Sequence, residues 1–293
     1  MNVIHALILG IVQGLTEFFP VSSSGHLIVF PLVFHWPDQG QAFDTVLHLG
    51  TLAALVWFFW KELIVLVKES LQNDEIGARA RSFCLRVFVA AVPALMVGYF
   101  FSEAIERLTR SAGLVAFGLA FWAIVLFAAD HRSSRLQKKS PSQTQNTQIP
   151  DTQPPPLIRD RELVAPYSLR DVSWKQAIAI GLSQPIALLP GTSRSGITMT
   201  AGLFVGLSRE AAARFSFFVS IPVIAAAGGY GLMKTIKHGI YGDGMLSLVV
   251  GFFTAAFVGA YAIRFLLSYV SKHRFDAFVC YRVALAVALF FLL

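Results

Sequence analysis

Residues Gln184–Gly196 read QPIALLPGTSRSG, and residues Gln13–Gly25 read QGLTEFFPVSSSG. A shift of 171 positions lays one on the other. Gly10 falls on Gly181, Gln13 on Gln184, Ser22 on Ser193, Ser24 on Ser195 and Gly25 on Gly196, with Pro20 and Pro190 one place out of step. Each copy is a short apolar segment, a proline, a Ser/Gly-rich loop and a second short apolar segment. Proline removes a backbone donor and drives the residue before it out of helical geometry. Each copy is therefore a broken helix.

The rest of the chain says where these breaks sit. Of 293 residues, 55% are hydrophobic and 14% charged, against about 25% charged in soluble domains. A membrane-spanning helix needs about 20 mostly apolar residues. Six stretches fit: 43–60, 83–101, 112–129, 211–233, 245–267 and 277–293. The two repeat units do not. Their halves, 3–19 with 27–34 and 174–189 with 197–207, read as re-entrant helix-loop-helix hairpins. Irregular backbone at membrane depth is tolerated only where protein or a water-filled cavity covers it. The expected fold is an all-α integral membrane protein with six transmembrane helices and two re-entrant hairpins in an inverted repeat.

Basic residues give the orientation. With the N-terminus outside, Lys61, Lys68, Arg79, Arg81 and Arg86 share a face with a basic linker, against Arg107, Arg110, Lys234 and Lys237 opposite. The excess marks the cytoplasmic side. The first hairpin then enters from outside and the second from the cytoplasm, so that their loops meet near the midplane. Residues 1–132 form the first half and 171–293 the second. Residues 133–170, rich in Gln, Ser, Thr and Pro, read as a disordered cytoplasmic linker. The first ten residues carry no basic region and read as retained rather than as a cleaved signal. Cys84 and Cys280 read as small buried apolar residues. The net charge of +7 belongs to loop bias, so nucleic acid is not expected as a partner.

Chemistry concentrates in the loops. Arg194 lies in a stretch with no other charge, and ionisable residues within membranes are costly and usually functional. Thr192, Ser193, Ser195 and Gly196 surround it with hydroxyls and flexible N–H groups, and a half-helix is expected to start at Ile197. A helix N-terminus beside an arginine is an anion site, and phosphate is the expected anion. In the first loop, Gln13 and Glu17 share a helix face. Glu17 is the only acid before Asp38. Ser22, Ser23 and Ser24 supply hydroxyls, Gly25 loosens the turn and His26 opens the next half-helix. Together the loops make a phosphoryl-transfer set. Arg194 holds phosphate, His26 moves a proton, and Glu17 orients His26, acts as base or helps bind a metal. The nucleophile stays open among Ser23, another serine, His26 and metal-bound water. Asp44 and His48 share one face of the first span, toward the cavity or each other, and receive no catalytic role. Arg214 and Arg282 face the site, snorkel, or pair with acids such as Asp276.

QGLTEFFPVSSSGH and PGTSRSG resemble the two signature motifs of the BacA/UppP undecaprenyl-diphosphate phosphatases. FDTVLHLGT, LSREAAARFSFFVSIP and YRVALA extend the resemblance over nearly the whole chain outside the linker. It implies removal of the terminal phosphate of undecaprenyl diphosphate, bacitracin resistance, and a site open to the outer face of the cell membrane. By resemblance, Glu17, Ser23, His26 and Arg194 are catalytic. Ser22, Ser24, Gly25, Ser193, Ser195, Gly196 and Thr198 bind phosphate. A divalent cation (Mg2+ or Ca2+) is expected at Gln13 and Glu17. Gln13 stands where the family more often has a second carboxylate, which weakens a two-carboxylate metal site. Membrane lipids surround the protein, and self-association is left open.

Two rivals weigh against this reading. An unrelated lipid-phosphatase class needs a histidine six residues past its Ser-Arg arginine, where this chain has Thr200, and an Arg-Pro dipeptide that this chain lacks. A lipid-phosphate transporter would use the same inverted-repeat architecture, but it would not need Glu17 and His26 merely to hold an anion.

Overall fold

The computed structural model describes residues 2–102, 112–139, 172–238 and 244–292. Within them the protein is helical. Helix α1 spans Val3–Phe18, α2 Ser23–Val33, α3 Gly40–Ser70, α4 Glu75–Phe100 and α5 Ala112–Lys139. A second series follows: α6 Trp174–Ser183, a 3-10 turn at Gln184–Leu188, α7 Arg194–Phe204, α8 Arg209–His238, α9 Met245–Val270 and α10 Asp276–Leu292. Five of these, α3, α4, α5, α8 and α9, are long and apolar enough to cross a membrane. The sixth expected span, α10, has 17 residues, just under that length.

The helices overrun the predicted spans where charged residues begin. Helix α3 has 31 residues, about 46 Å at 1.5 Å per residue, which exceeds a hydrocarbon core of about 30 Å. Its last ten residues, from Lys61, carry the charged end. Helix α4 starts at Glu75 because Asp74 caps it, accepting from Gly77 N at 2.8 Å. Helix α5 runs to Lys139, so residues 133–139 are helical rather than linker. The remainder of the expected linker lies outside the described residues.

Each proline breaks its hairpin. Phe19, before Pro20, and Leu189, before Pro190, are both extended. Pro185 converts the end of the second hairpin's first arm to a 3-10 turn. The chain then turns through a left-handed serine in each copy, Ser22 and Ser193, both at φ 74°. These serines cap the next helices, accepting from Gly25 N at 3.4 Å and Gly196 N at 3.0 Å. Helices α2 and α7 therefore begin at Ser23 and Arg194. That is four and three residues earlier than the apolar runs at Leu27 and Ile197 predict, because capping sets the start.

The hairpin arms pack across the repeat. Helix α1 lies against α9, and α6 lies against α4. Small residues permit the approach. A Cβ on Gly14 would stand 2.8 Å from Val258 Cβ, and one on Gly181 would stand 2.8 Å from Ala90 Cα. Phe18, Phe59, Phe83, Phe215, Phe217 and Phe218 join α1, α3, α4 and α8 in one aromatic core. Outside, Trp57, Phe88, Phe117, Phe257 and Phe290 are exposed, a pattern suited to lipid rather than water. Cys84 and Cys280 lie on that exterior, not buried as expected. In an apolar solvent the outer face of a helix needs no polar side chains.

Candidate active site

The two loops meet. Arg194 Nη2 donates to Glu17 Oε1 at 2.5 Å, and Ser195 Oγ donates to Phe19 O at 2.9 Å. Arg194 occupies the first position of α7, so capping by Ser193 aims its side chain out of the second loop toward the first. Glu17 sits in the last turn of α1 and is buried. Its Oε2 accepts from Ser23 Oγ at 2.6 Å and from Gln13 Nε2 at 3.0 Å. One carboxylate thus gathers a guanidinium, a hydroxyl and an amide. A buried carboxylate needs that number of donors to remain charged.

A cavity of about 340 Å³ opens beside this cluster. Glu17, Ser23, Ser24, Ser193 and Arg194 line its polar wall, Asp44 and His48 a second, and Ala187, Val223, Ile224 and Ala227 an apolar one. His48 Nδ1 lies 2.7 Å from Asp44 O. A carbonyl only accepts, so Nδ1 carries a proton and Nε2 faces Glu17 Oε2 at 3.7 Å. Arg194 Nη1, Gln13 Oε1 and Thr192 Oγ1, in and beside the two loops, are buried and have no hydrogen-bond partner.

The other expected site residues do not line this cavity. His26 Nδ1 donates to Ser22 O at 2.7 Å, and its Nε2 pairs with the Tyr281 hydroxyl at 2.6 Å. Glu17 therefore does not orient His26: the imidazole points to α10. The Gly25 and Gly196 N–H groups are taken by the Ser22 and Ser193 caps. Ser22 and Ser24 hydroxyls pair at 3.4 Å, and Ser193 and Ser195 at 3.1 Å. Thr198 Oγ1 turns back to Arg194 O at 2.8 Å and meets Ser216 Oγ at 2.6 Å, away from the cavity.

Among the described residues no group of three or more His, Cys, Asp or Glu side chains is gathered for a metal ion. Gln13 Oε1 is a buried oxygen ligand still to be used, but both Glu17 oxygens already have donors. Four residues that shape the site, Asp44, His48, Tyr281 and Arg282, were given no settled direction or role by the sequence. The four-residue spacing of Asp44 and His48 put them on one face without saying which way it turned. Tyr281 entered only within the YRVALA match and received no role. Arg282 neither snorkels nor pairs with Asp276, which binds Arg274 instead. It is fully buried behind both loops.

The family model for bacitracin resistance protein BacA matches residues 6–288. The chain belongs to the BacA family. The BacA match takes in both loops, the cavity wall on α3, and Tyr281 and Arg282 on α10. Among similar proteins, one from Moorella thermoacetica named undecaprenyl-diphosphatase is 40% identical over 100% of this chain and 99% of its own length. Proteins of the same name from Desulforudis audaxviator and Chloroherpeton thalassium are 40% and 36% identical. They match 98% and 99% of this chain, each over 96% of its own length.

Proposed function

We propose that this BacA-family chain hydrolyses undecaprenyl diphosphate to undecaprenyl phosphate and inorganic phosphate. That reaction recycles the lipid carrier for cell-wall synthesis and confers bacitracin resistance. Full-length relatives named for this hydrolysis support the substrate, and they leave the transporter alternative unfavoured. The observation that carries the chemistry is the Arg194 guanidinium on the cavity wall: Glu17 holds one arm, and the other, Nη1, is a buried charged donor with no hydrogen-bond partner. A terminal phosphate oxygen satisfies it.

In this reading Ser23 is the nucleophile and Glu17 the base. The Ser23 Oγ–H already points at Glu17 Oε2. Attack forms an Oγ–P bond and breaks the bridging P–O bond, releasing undecaprenyl phosphate, while the serine proton passes to Glu17. Water then attacks the phosphoserine. Its hydroxyl bonds to phosphorus and its other proton goes to a phosphate oxygen; as the Oγ–P bond breaks, Glu17 returns its proton to Ser23 Oγ, and inorganic phosphate leaves. Arg194 offsets the charge on the transferring group. The isoprenoid chain lies along Ala187, Val223, Ile224 and Ala227 toward lipid. Ser24 and Ser193 orient the phosphates. Ser22, Ser195, Gly25, Gly196 and Thr198 act one step back, shaping the loops.

Gln13 Oε1 and Glu17 would hold a divalent cation only in company with substrate phosphates and water, which is the usual manner of Mg2+. Such an ion would neutralise diphosphate charge. The wider reading has α10 as a sixth span and the two hairpins re-entrant and inverted. The shared 171-residue offset of the capping serines supports this. The cavity then opens to the periplasmic face. The test is phosphate release from undecaprenyl diphosphate by purified protein in detergent, where no membrane separates two sides. Release supports hydrolysis, and its absence with retained lipid binding refutes it.

A further inference from the structure

Arg282 is the largest fully buried side chain among the described residues. Buried arginines are normally paired with acids, yet this guanidinium is received by main-chain oxygens from three segments. Nε donates to Leu119 O at 3.2 Å, and Nη1 to Pro20 O at 3.0 Å. Nη2 is shared among Gly118 O at 3.3 Å, Gly191 O at 2.9 Å and Thr192 O at 3.1 Å. Pro20 belongs to the first loop, Gly191 and Thr192 to the second, and Gly118 and Leu119 to α5. One planar fork ties them all.

The carbonyls it holds are close in sequence to the two strained turns. Thr192 immediately precedes Ser193, and Pro20 stands two before Ser22, and both serines are at φ 74°. A non-glycine residue persists in that region only where its surroundings over-determine it. The residue after each strained serine is a reacting group: Ser23 after Ser22, Arg194 after Ser193. The guanidinium also lies directly under the first turn of α7, where a Cβ on Gly196 would stand 3.0 Å from Nη1.

We propose that Arg282 is a positioning residue of the active site. Its guanidinium holds both loops in the backbone conformation that brings Ser23 Oγ and Arg194 onto Glu17, without itself touching the substrate. The need is for the fork and not only for the charge. Lysine presents a point charge and cannot reach oxygens on three segments at once. Only the kinetic consequence rests on the phosphatase reading.

The test compares Arg282→Lys with the unaltered protein in detergent, by steady-state phosphate release and by amide hydrogen exchange in peptides covering 19–27 and 190–198. An ångström of misplacement can cost about a hundredfold in rate. The expected result is a kcat at least about thirtyfold lower with KM within about threefold. Exchange should quicken at least about tenfold in the two loops and stay unchanged in α3 and α9. A kcat within about threefold, loop exchange left unaltered, or exchange quickened evenly over all helices would each overturn the proposal. If the unaltered protein releases no phosphate, the phosphatase reading fails and the exchange measurement alone decides Arg282. If Arg282→Lys does not fold, Gly196→Ala presses on the same guanidinium. It should quicken exchange in 19–27, on the opposite loop. A change confined to 190–198 overturns the proposal.

Discussion

Glu17→Gln replaces one carboxylate oxygen with an NH2 group and keeps the shape. The contacts decide which oxygen. Arg194 only donates, so the amide oxygen stays toward Nη2 and the new NH2 faces Ser23 and Gln13. Both neighbours can adapt: the serine hydroxyl rotates to accept, and the Gln13 amide turns its unpartnered Oε1 inward. The hydrogen bonds survive, and two things are lost. Arg194 becomes a buried cation without its anion, a penalty of about 3–5 kcal/mol for a broken buried pair, partly offset by the retained amide contact. Ser23 also loses the group that accepts its proton, and general-base catalysis is worth about 10²–10⁴ in rate. We expect at least about a hundredfold loss in kcat/KM, or about 2.7 kcal/mol of transition-state stabilisation. The protein should still insert and elute as a single species in detergent. Steady-state phosphate release beside size-exclusion chromatography makes the comparison. A loss of less than about threefold in a well-folded variant would refute the base assignment and leave Glu17 as a mere anchor for Arg194.

Ser23→Ala should lower phosphate release at least about a hundredfold. Ser24→Ala, which removes a hydroxyl outside the Glu17 cluster, should cost less than about tenfold. An acid-stable phosphoprotein trapped from the unaltered chain but absent from Ser23→Ala would locate the Oγ–P bond. Equal losses in the two variants would contradict it. Tyr281→Phe strands the buried His26 Nε2, which should cost about 1–3 kcal/mol of stability and less than about tenfold in kcat. A thermal-unfolding series shows the first and the release assay the second. A collapse of kcat without destabilisation would return His26 to the chemistry.

The sequence made the breaks legible because proline acts locally. Phe19 and Leu189 are extended for the reason any pre-proline residue is. The paired serines announced two equivalent loops, and the bias of basic residues, which sets the two hairpins in opposite orientation, implied that the loops meet. Helix ends were less legible, since apolar runs mark the hydrocarbon zone while helices continue beyond it, as α3 does past Trp60, and caps start helices before apolar residues do. Side-chain direction was the least legible. His26 follows the serines in sequence, yet it is held by Tyr281, 255 positions away. His48 and Asp44 line the cavity, which their spacing alone did not say. Nothing near Arg282 announces its partners, because they are main-chain oxygens, and any sequence supplies those.

The central claim is that Arg194 holds the phosphate that is cleaved. Its most direct test is Arg194→Ala beside the unaltered protein, following phosphate release from undecaprenyl diphosphate and binding of the same lipid in detergent. The account predicts brisk release by the unaltered chain and loss of most of it in the variant, with the protein still folded and lipid binding weakened. Near-normal release by a folded Arg194→Ala protein would contradict it.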